Sequence, residues 1–380
     1  MWEYRMARPD EREEYIDLAN YAFKIDAESL LPKMYSKDID SSGMHMVAAD
    51  EKGRLRAQVA VYPEPMQVGG FPLRVGYLGI VSVHPRARGE GHMKVLMNKW
   101  LEEAPASYDM LVLYGQRQRY EYFNFTLGGV KLKYSVGEVN ARHALRDVST
   151  EELSIRPLFE VEGAAAFAQQ LNVNRPSYVQ RNAQQMSDIL TGLEQQPLGV
   201  LEKDKLIGYL VASKTGKEIT ELAMADAADI PRAVKAYLAH SGADWIAVFA
   251  PEYETELNAS LSSFAENYAV ETSDMYHIVD FARVLEAYLK LKHQSIGLAP
   301  GEFSAVLNGQ PITARVDEKG VTVERSAKPG AVELDKKQAQ TLLLTPHGRY
   351  MRMGAAAEAG AGIPAGWFPL PIFWYIADKF

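Results

Sequence analysis

Val81-Ser82-Val83-His84-Pro85-Arg86-Ala87-Arg88-Gly89-Glu90-Gly91-His92-Met93 joins two unlike stretches of chain. Before it, residues 75–83 form an apolar run of the kind a buried strand carries. After it, Met93, Leu96, Met97, Trp100 and Leu101 recur at i, i+3, i+4, i+7 and i+8, which predicts an amphipathic helix over 91–103. Arg88-Gly89-Glu90-Gly91 is then a tight turn between strand and helix. Glycine lets a backbone come close to a ligand, and the first N–H groups of a helix lack internal partners. Together with the helix dipole they favour a pyrophosphate. A plain strand–turn–helix connection would use the same glycines, so the turn alone leaves both readings open. Other phosphate motifs are absent. Gly89-x-Gly91 lacks the third glycine of the dinucleotide fingerprint, and Gly216-Lys217 is followed by Glu218, which breaks a P-loop.

Working outward, residues 3–6 read as a strand and 10–23 as a helix with Tyr15, Leu18, Ala19 and Ala22 on one face. Residues 44–49 and 56–62 form a hairpin around Asp50-Glu51-Lys52-Gly53, and 110–114 is another buried-type strand. The middle of the chain repeats the order strand, helix, hairpin, strand, helix, strand over residues 153–249, a weak internal duplication. From about residue 280 the pattern changes to a helix at 282–290, short strands at 302–307, 312–316, 321–324 and 332–334, and a helix at 335–344. An alanine- and glycine-rich loop at 354–366 precedes an aromatic tail.

Composition narrows the chemistry. The 380 residues hold no cysteine, which excludes a disulfide scaffold, a cysteine nucleophile, thiolate-bound zinc and cysteine-ligated iron–sulfur clusters. The eight histidines are scattered without H-E-x-x-H, so no metal is expected, and no G-x-S-x-G marks a hydrolase serine. A net charge of −8 argues against nucleic acid as a partner and is compatible with cationic substrates. The N-terminus lacks a signal-peptide pattern, and residues 367–377 are about half of the ~20 apolar residues a membrane span needs. A cytoplasmic protein with no membrane partner is expected.

V-x-P-x-x-R-x-x-G, following a strand and opening a helix, resembles the acetyl-coenzyme A signature of the GNAT N-acetyltransferases. Here it is Val83, Pro85, Arg88 and Gly91. The segments YRMARPDEREEYIDL and RYEYFNF resemble GNAT segments in the same order. With the total length, the second GNAT-like half and the third section, the whole chain resembles the Eis (enhanced intracellular survival) acetyltransferases. Met93 stands where GNAT proteins usually have Gly or Ala, and Eis-type proteins tolerate a larger residue there.

The resemblance implies a mixed α+β fold. Tandem GNAT-like domains, catalytic over 1–140 and degenerate over 141–279, would precede a sterol-carrier-protein-like α+β domain over 280–380. It implies that Val81, Ser82 and Val83 line the pantetheine arm of acetyl-CoA. Arg88, Gly89, Glu90, Gly91, His92, Met93 and Lys94 would wrap the pyrophosphate, and Gly115 and Gln116 would line the coenzyme further on. It implies that Tyr120 protonates the leaving thiolate and that the terminal carboxylate of Phe380 takes the proton of the acceptor amine. A tyrosine stays protonated at neutral pH and an α-carboxyl stays ionised. Aminoglycosides are the implied acceptors, and a homo-oligomer, often a hexamer, is the implied assembly. Leaving the tail's aromatic residues in water would be unfavourable, so the tail is expected to dock. Asp26 and Asp378 are candidates to hold a second ammonium of a polyamine-like substrate; solvated acids are the plainer reading.

Two other readings compete. The acceptor could be a lysine or peptide amine, or the chain could be a non-catalytic carrier of hydrophobic ligands with a vestigial GNAT domain. A second coenzyme site in the middle section is not expected, because Ala227-Ala228-Asp229 stands where a glycine turn would be needed.

Overall fold

The computed structural model describes residues 1–348 and 363–380. The loop expected over 354–366 therefore lies, up to residue 362, outside the described residues.

The chain begins with β1 (Glu3–Met6), and the helix Arg12–Phe23 follows. Next come β2 (His45–Ala49), β3 (Leu55–Pro63), a small hairpin of β4 (Met66–Val68) and β5 (Phe71–Leu73), and the long β6 (Val75–Val83). The amphipathic helix spans His92–Ser107, one turn further than its apolar spacing predicts. After it come β7 (Met110–Leu113), the short helix Arg117–Glu121, β8 (Thr126–Gly128) and β9 (Lys131–Gly137).

The middle stretch contributes β10 (Leu153–Pro157), the helix Ala164–Val173, β11 (Ser177–Val179), β12 (Gln196–Glu202), β13 (Lys205–Ala212) and β14 (Glu218–Met224). The helix Ile230–Ser241, β15 (Trp245–Pro251), the helix Thr255–Phe264, β16 (Asn267–Glu271) and β17 (Asp274–Ile278) complete it.

Two seven-stranded sheets result, ordered β1-β2-β3-β6-β7-β17-β8 and β10-β12-β13-β14-β15-β9-β16. In each, only the fourth and fifth strands pair in parallel, β6 with β7 and β14 with β15; the other neighbours are antiparallel. The weak repeat in the sequence is thus a repeat in topology. The sixth place in each sheet is filled from the other half of the chain. β17 comes from beyond the second sheet and enters the first, while β9 precedes the second sheet and enters it. A linear cut at residue 140 would therefore assign β9 to the wrong sheet, and one at 279 would do the same to β17. Tertiary pairing decided both placements.

The last section packs the helix Phe281–Ile296 on a four-stranded sheet ordered β20-β19-β18-β21, where β18 is Gly301–Leu307, β19 Gln310–Asp317, β20 Gly320–Glu324 and β21 Val332–Leu334. The helix Lys336–Leu344 opens on a capping box: Asp335 accepts from the Gln338 N–H, and the Gln338 side chain accepts from the Asp335 N–H.

The expected docking of the tail is observed. Trp367, Leu370, Ile372, Phe373, Trp374 and Tyr375 are buried in one core with Tyr77, Tyr276 and the helix Phe281–Ile296. Burying each large side chain stabilises by roughly 2–3 kcal/mol, so the tail belongs to the core rather than fraying.

Candidate active site

The site begins with what β6 cannot pair. β6 and β7 are in register only from Val75 opposite Met110 to Tyr77 opposite Val112, although β6 runs on to Val83. The two strands part there, and one edge of β6 beyond Tyr77 is left without β7. On its other side β6 carries a bulge. Gln58 of β3 lies opposite Ser82 and Ala60 opposite Gly79, so Ile80 and Val81 together face Val59. Ile80 sits at φ 50°, a strained conformation for a β-branched residue. A bulge re-aims backbone groups. The Val59 carbonyl, opposite the bulge, accepts from the Trp100 indole N–H at 2.9 Å. That bond ties the helix His92–Ser107 to the distorted strand.

The glycine turn is shaped for an anion. Gly89 and Gly91 lie at φ 85° and 83°, and a Cβ on either would meet no atom within 4 Å. Their role is conformation and open space, not packing. Gly91 is the N-cap of a 16-residue helix and gives it no side-chain cap, so the first N–H groups stay available. Arg88 and Arg86 are exposed beside it. His84 is pushed below its usual value by partial burial and by the positive charges of Arg56, Arg86, Arg54 and Arg88. The mouth of the turn is cationic.

The predicted coenzyme residues divide by side-chain direction. His92 is buried, its Nδ1 2.9 Å from the Tyr4 hydroxyl and its ring 4.1 Å from that of Trp2. It pins the helix to β1, and only its backbone can serve a ligand. Glu90 is exposed 3.3 Å from His92 Nε2. Met93, Val81 and Val83 pack half-buried on the core of the first sheet. Lys94 lies over the Tyr122 ring at 5.2 Å. Ser82 is buried and its Oγ has no hydrogen-bond partner, an orphan that a polar ligand would satisfy.

Tyr120 sits in the helix Arg117–Glu121 with its ring buried among residues of the first sheet. A Cβ on Gly115 would lie 2.3 Å from this ring. Gly115 thus makes room for Tyr120, a packing reason alongside its predicted coenzyme role. The Gln116 carbonyl accepts from the N–H groups of Arg119 and Tyr120 and starts the helix, while its side chain is exposed. Burial raises the Tyr120 pKa, with Arg119 opposing. The rival tyrosines, Tyr114 and Tyr122, are exposed.

Phe380 reaches the same strand from the other side. Its ring lies 5.4 Å from that of Tyr77 and 5.7 Å from that of Tyr62. A Cβ on Gly79 would stand 2.9 Å from the Phe380 ring and 3.1 Å from its backbone oxygen. Gly79, at the bulge, was not singled out in the sequence, because nothing local says that the chain end rests on it. Gly79→Ala is expected to push the terminus off its seat and lower turnover about tenfold or more with the fold retained, since its φ is not left-handed. Steady-state kinetics beside a thermal melt check this.

The two acids proposed for a second ammonium are otherwise engaged. Asp26 is exposed and caps a short helix, accepting from the Ser29 N–H and hydroxyl. Asp378 is buried, with both oxygens on the Arg181 guanidinium at 2.8 and 3.0 Å.

The equivalent cleft of the second sheet is a cavity of about 390 Å³ with a different lining, Arg175, Leu222, Ala227, Ile230 and Glu254 among it. β14 and β15 pair only at Glu218 with Ala247 and Ile219 with Val248. Beyond that point Arg175 reaches across to the Leu222 carbonyl, Glu221 and Glu254. Asp226 accepts from the Ala228 N–H just before the helix Ile230–Ser241, so acids stand where a pyrophosphate would bind.

Residues 3–128 match the acetyltransferase (GNAT) domain family. The splayed strands, the bulge and the open glycine turn are therefore those of a GNAT domain, and the protein is an acetyl-CoA-dependent N-acetyltransferase. Its overall fold is that of a probable N-acyltransferase of unknown function from Enterococcus faecalis (16% identity, TM-score 0.67, 95% of this chain and 96% of that one). Eis1 from Mycobacterium abscessus is also similar, at 15% identity and TM-score 0.64 over 100% of both chains. A GCN5-related N-acetyltransferase from Anabaena variabilis gives 16% identity and TM-score 0.67, with 96% and 98% covered. The architecture is Eis-like. No curated protein matches the sequence. Among the described residues no helix is long and apolar enough to cross a membrane.

Proposed function

We propose that the protein transfers acetyl directly to a primary amine of a small cationic acceptor of the aminoglycoside or polyamine type, with Phe380 as base and Tyr120 as acid. One observation carries the reading: the chain end is seated on β6 at Gly79, next to the point where β6 and β7 part. A terminal carboxylate beside that parting of strands is near the cleft a GNAT domain uses, which supports reading it as the base.

Acetyl-CoA, when bound, supplies the activated acetyl thioester. The β6 edge around Val81 and Val83 would hold its arm as an added strand would, and the N–H groups of Gly89 to Lys94 its pyrophosphate. The Phe380 carboxylate, ionised at neutral pH, accepts the proton of the acceptor amine. A backbone N–H near Val83 polarises the thioester oxygen. The Tyr120 hydroxyl, kept protonated by burial, gives its proton to the departing sulfur. With no cysteine in the chain, nothing calls for an acyl-enzyme. Three units, two GNAT-like and one sterol-carrier-like, describe the chain once the strand exchange is allowed for.

Thiol release from acetyl-CoA, measured with an aminoglycoside, a linear polyamine and a lysine peptide, tests the proposal. Release is expected with the first two. Release only with the peptide would replace the acceptor class. No release with any amine, and no binding of acetyl-CoA at high micromolar levels, would leave the carrier reading.

A further inference from the structure

The last residues of the chain are held by a line of buried charges that runs through both GNAT-like units. Lys33 Nζ donates to Glu64 at 2.6 Å and to the Asp378 carbonyl at 2.7 Å. The Asp378 carboxylate takes two bonds from Arg181. Arg181 also donates twice to Glu221, at 2.8 Å each. Glu221 accepts from Tyr209 at 2.6 Å and from Arg175, and Arg175 meets Glu254 and the Tyr375 hydroxyl. Lys379 pairs with Asp274 at 2.8 Å. Lys33 and Glu64 belong to the first unit, the arginines, Glu221 and Glu254 to the second, and Tyr375 and Asp378 to the tail.

Adhesion alone does not call for such a network. The tail's aromatic residues already dock it, and apolar residues of similar volume hold a buried site at least as firmly as an ion pair does. What a forked guanidinium adds is direction. Its paired bonds fix one orientation of a carboxylate, which packing of rings does not. Asp378 is the last side chain held by a bidentate contact, and two further residues reach about 7 Å at most. Rotation or slippage at Asp378 would therefore be passed on to the terminal carboxylate.

We infer that Arg181 is a positioning residue for the Phe380 carboxylate, and that holding it is a task of the second GNAT-like unit. The inference rests on the proposed role of Phe380 as base. In this role Arg181 acts through Asp378, to which it is bonded.

The test is a double-mutant cycle on the full-length protein, with acceptor kcat/KM and acetyl-CoA affinity as readouts. Arg181→Met is combined with three glycines added after Phe380. Arg181→Met alone is expected to lower kcat/KM about 30-fold with coenzyme affinity unchanged, and Arg181→Lys to recover part of the loss. In the extended chain, where the base is already displaced, Arg181→Met is expected to change the residual rate less than about threefold. The same fractional loss in both backgrounds would make Arg181 a fold residue only and overturn the inference. So would parent-level activity in Arg181→Met. An extended chain as active as the parent would instead remove Phe380 as base, and the inference with it. If Arg181→Met fails to bind acetyl-CoA, Asp378→Asn takes its place in the cycle, with a loss of about tenfold and the same non-additivity expected; additive losses there overturn the inference equally.

Discussion

A chain lengthened by three glycines after Phe380 is expected to lose acetyl transfer by about 100-fold or more while binding acetyl-CoA as before. The extension alters no side chain. It converts the terminal carboxylate into a neutral amide and carries the charge up to about 10 Å away. The tail's anchors all lie upstream: Trp367 to Tyr375 in the core, Asp378 on Arg181 and Lys379 on Asp274. A melting temperature within a degree or two of the parent is therefore expected, and this separates loss of the base from loss of the fold. Full activity of the extended chain with every amine would end the role assigned to Phe380.

Tyr120→Phe is the second large effect, with turnover lowered by about two orders of magnitude. The ring that fills the space over Gly115 remains, so removing one hydroxyl is expected to change stability by only about 1 kcal/mol. Coenzyme affinity is expected to stay within a few-fold. The pH profile gives a second handle. The donor must be protonated, and its pKa is raised by burial, so activity is present below that raised value and lost as pH rises through it. The alkaline limb due to Tyr120 lies above the ordinary tyrosine value near about 10. Unchanged turnover in Tyr120→Phe would take the residue out of the mechanism.

How far the sequence could be read depended on how local each feature is. The turn at Arg88–Gly91 and the apolar spacing after it lie within one segment, and the structure has both, the glycine turn and the helix His92–Ser107. The order of elements in the middle section announced the repeat. The strand exchange was not legible, because β9 and β17 find their sheets only when the whole chain folds. The alternation in Lys131-Leu132-Lys133-Tyr134-Ser135-Val136 is a strand signal that could have been used, but no pattern says which sheet it joins. Asp378 reads as a free acid in sequence since its partner, Arg181, stands 197 positions away. Gly79 is silent for the same reason: its neighbour is the final residue of the chain.

The traded strands have a consequence for ancestry. Two copies that each lend the other an inner strand have lost their independence. Were the gene split between them, β7 and β8 would no longer be joined through β17, nor β15 and β16 through β9, and each fragment would carry bare strand edges of the kind that aggregate. The duplication works as a ratchet. The second copy can carry Ala227-Ala228-Asp229 in place of a glycine turn and set Arg175 across its parted strands, yet it cannot be deleted, because the first copy's sheet closes only in its company.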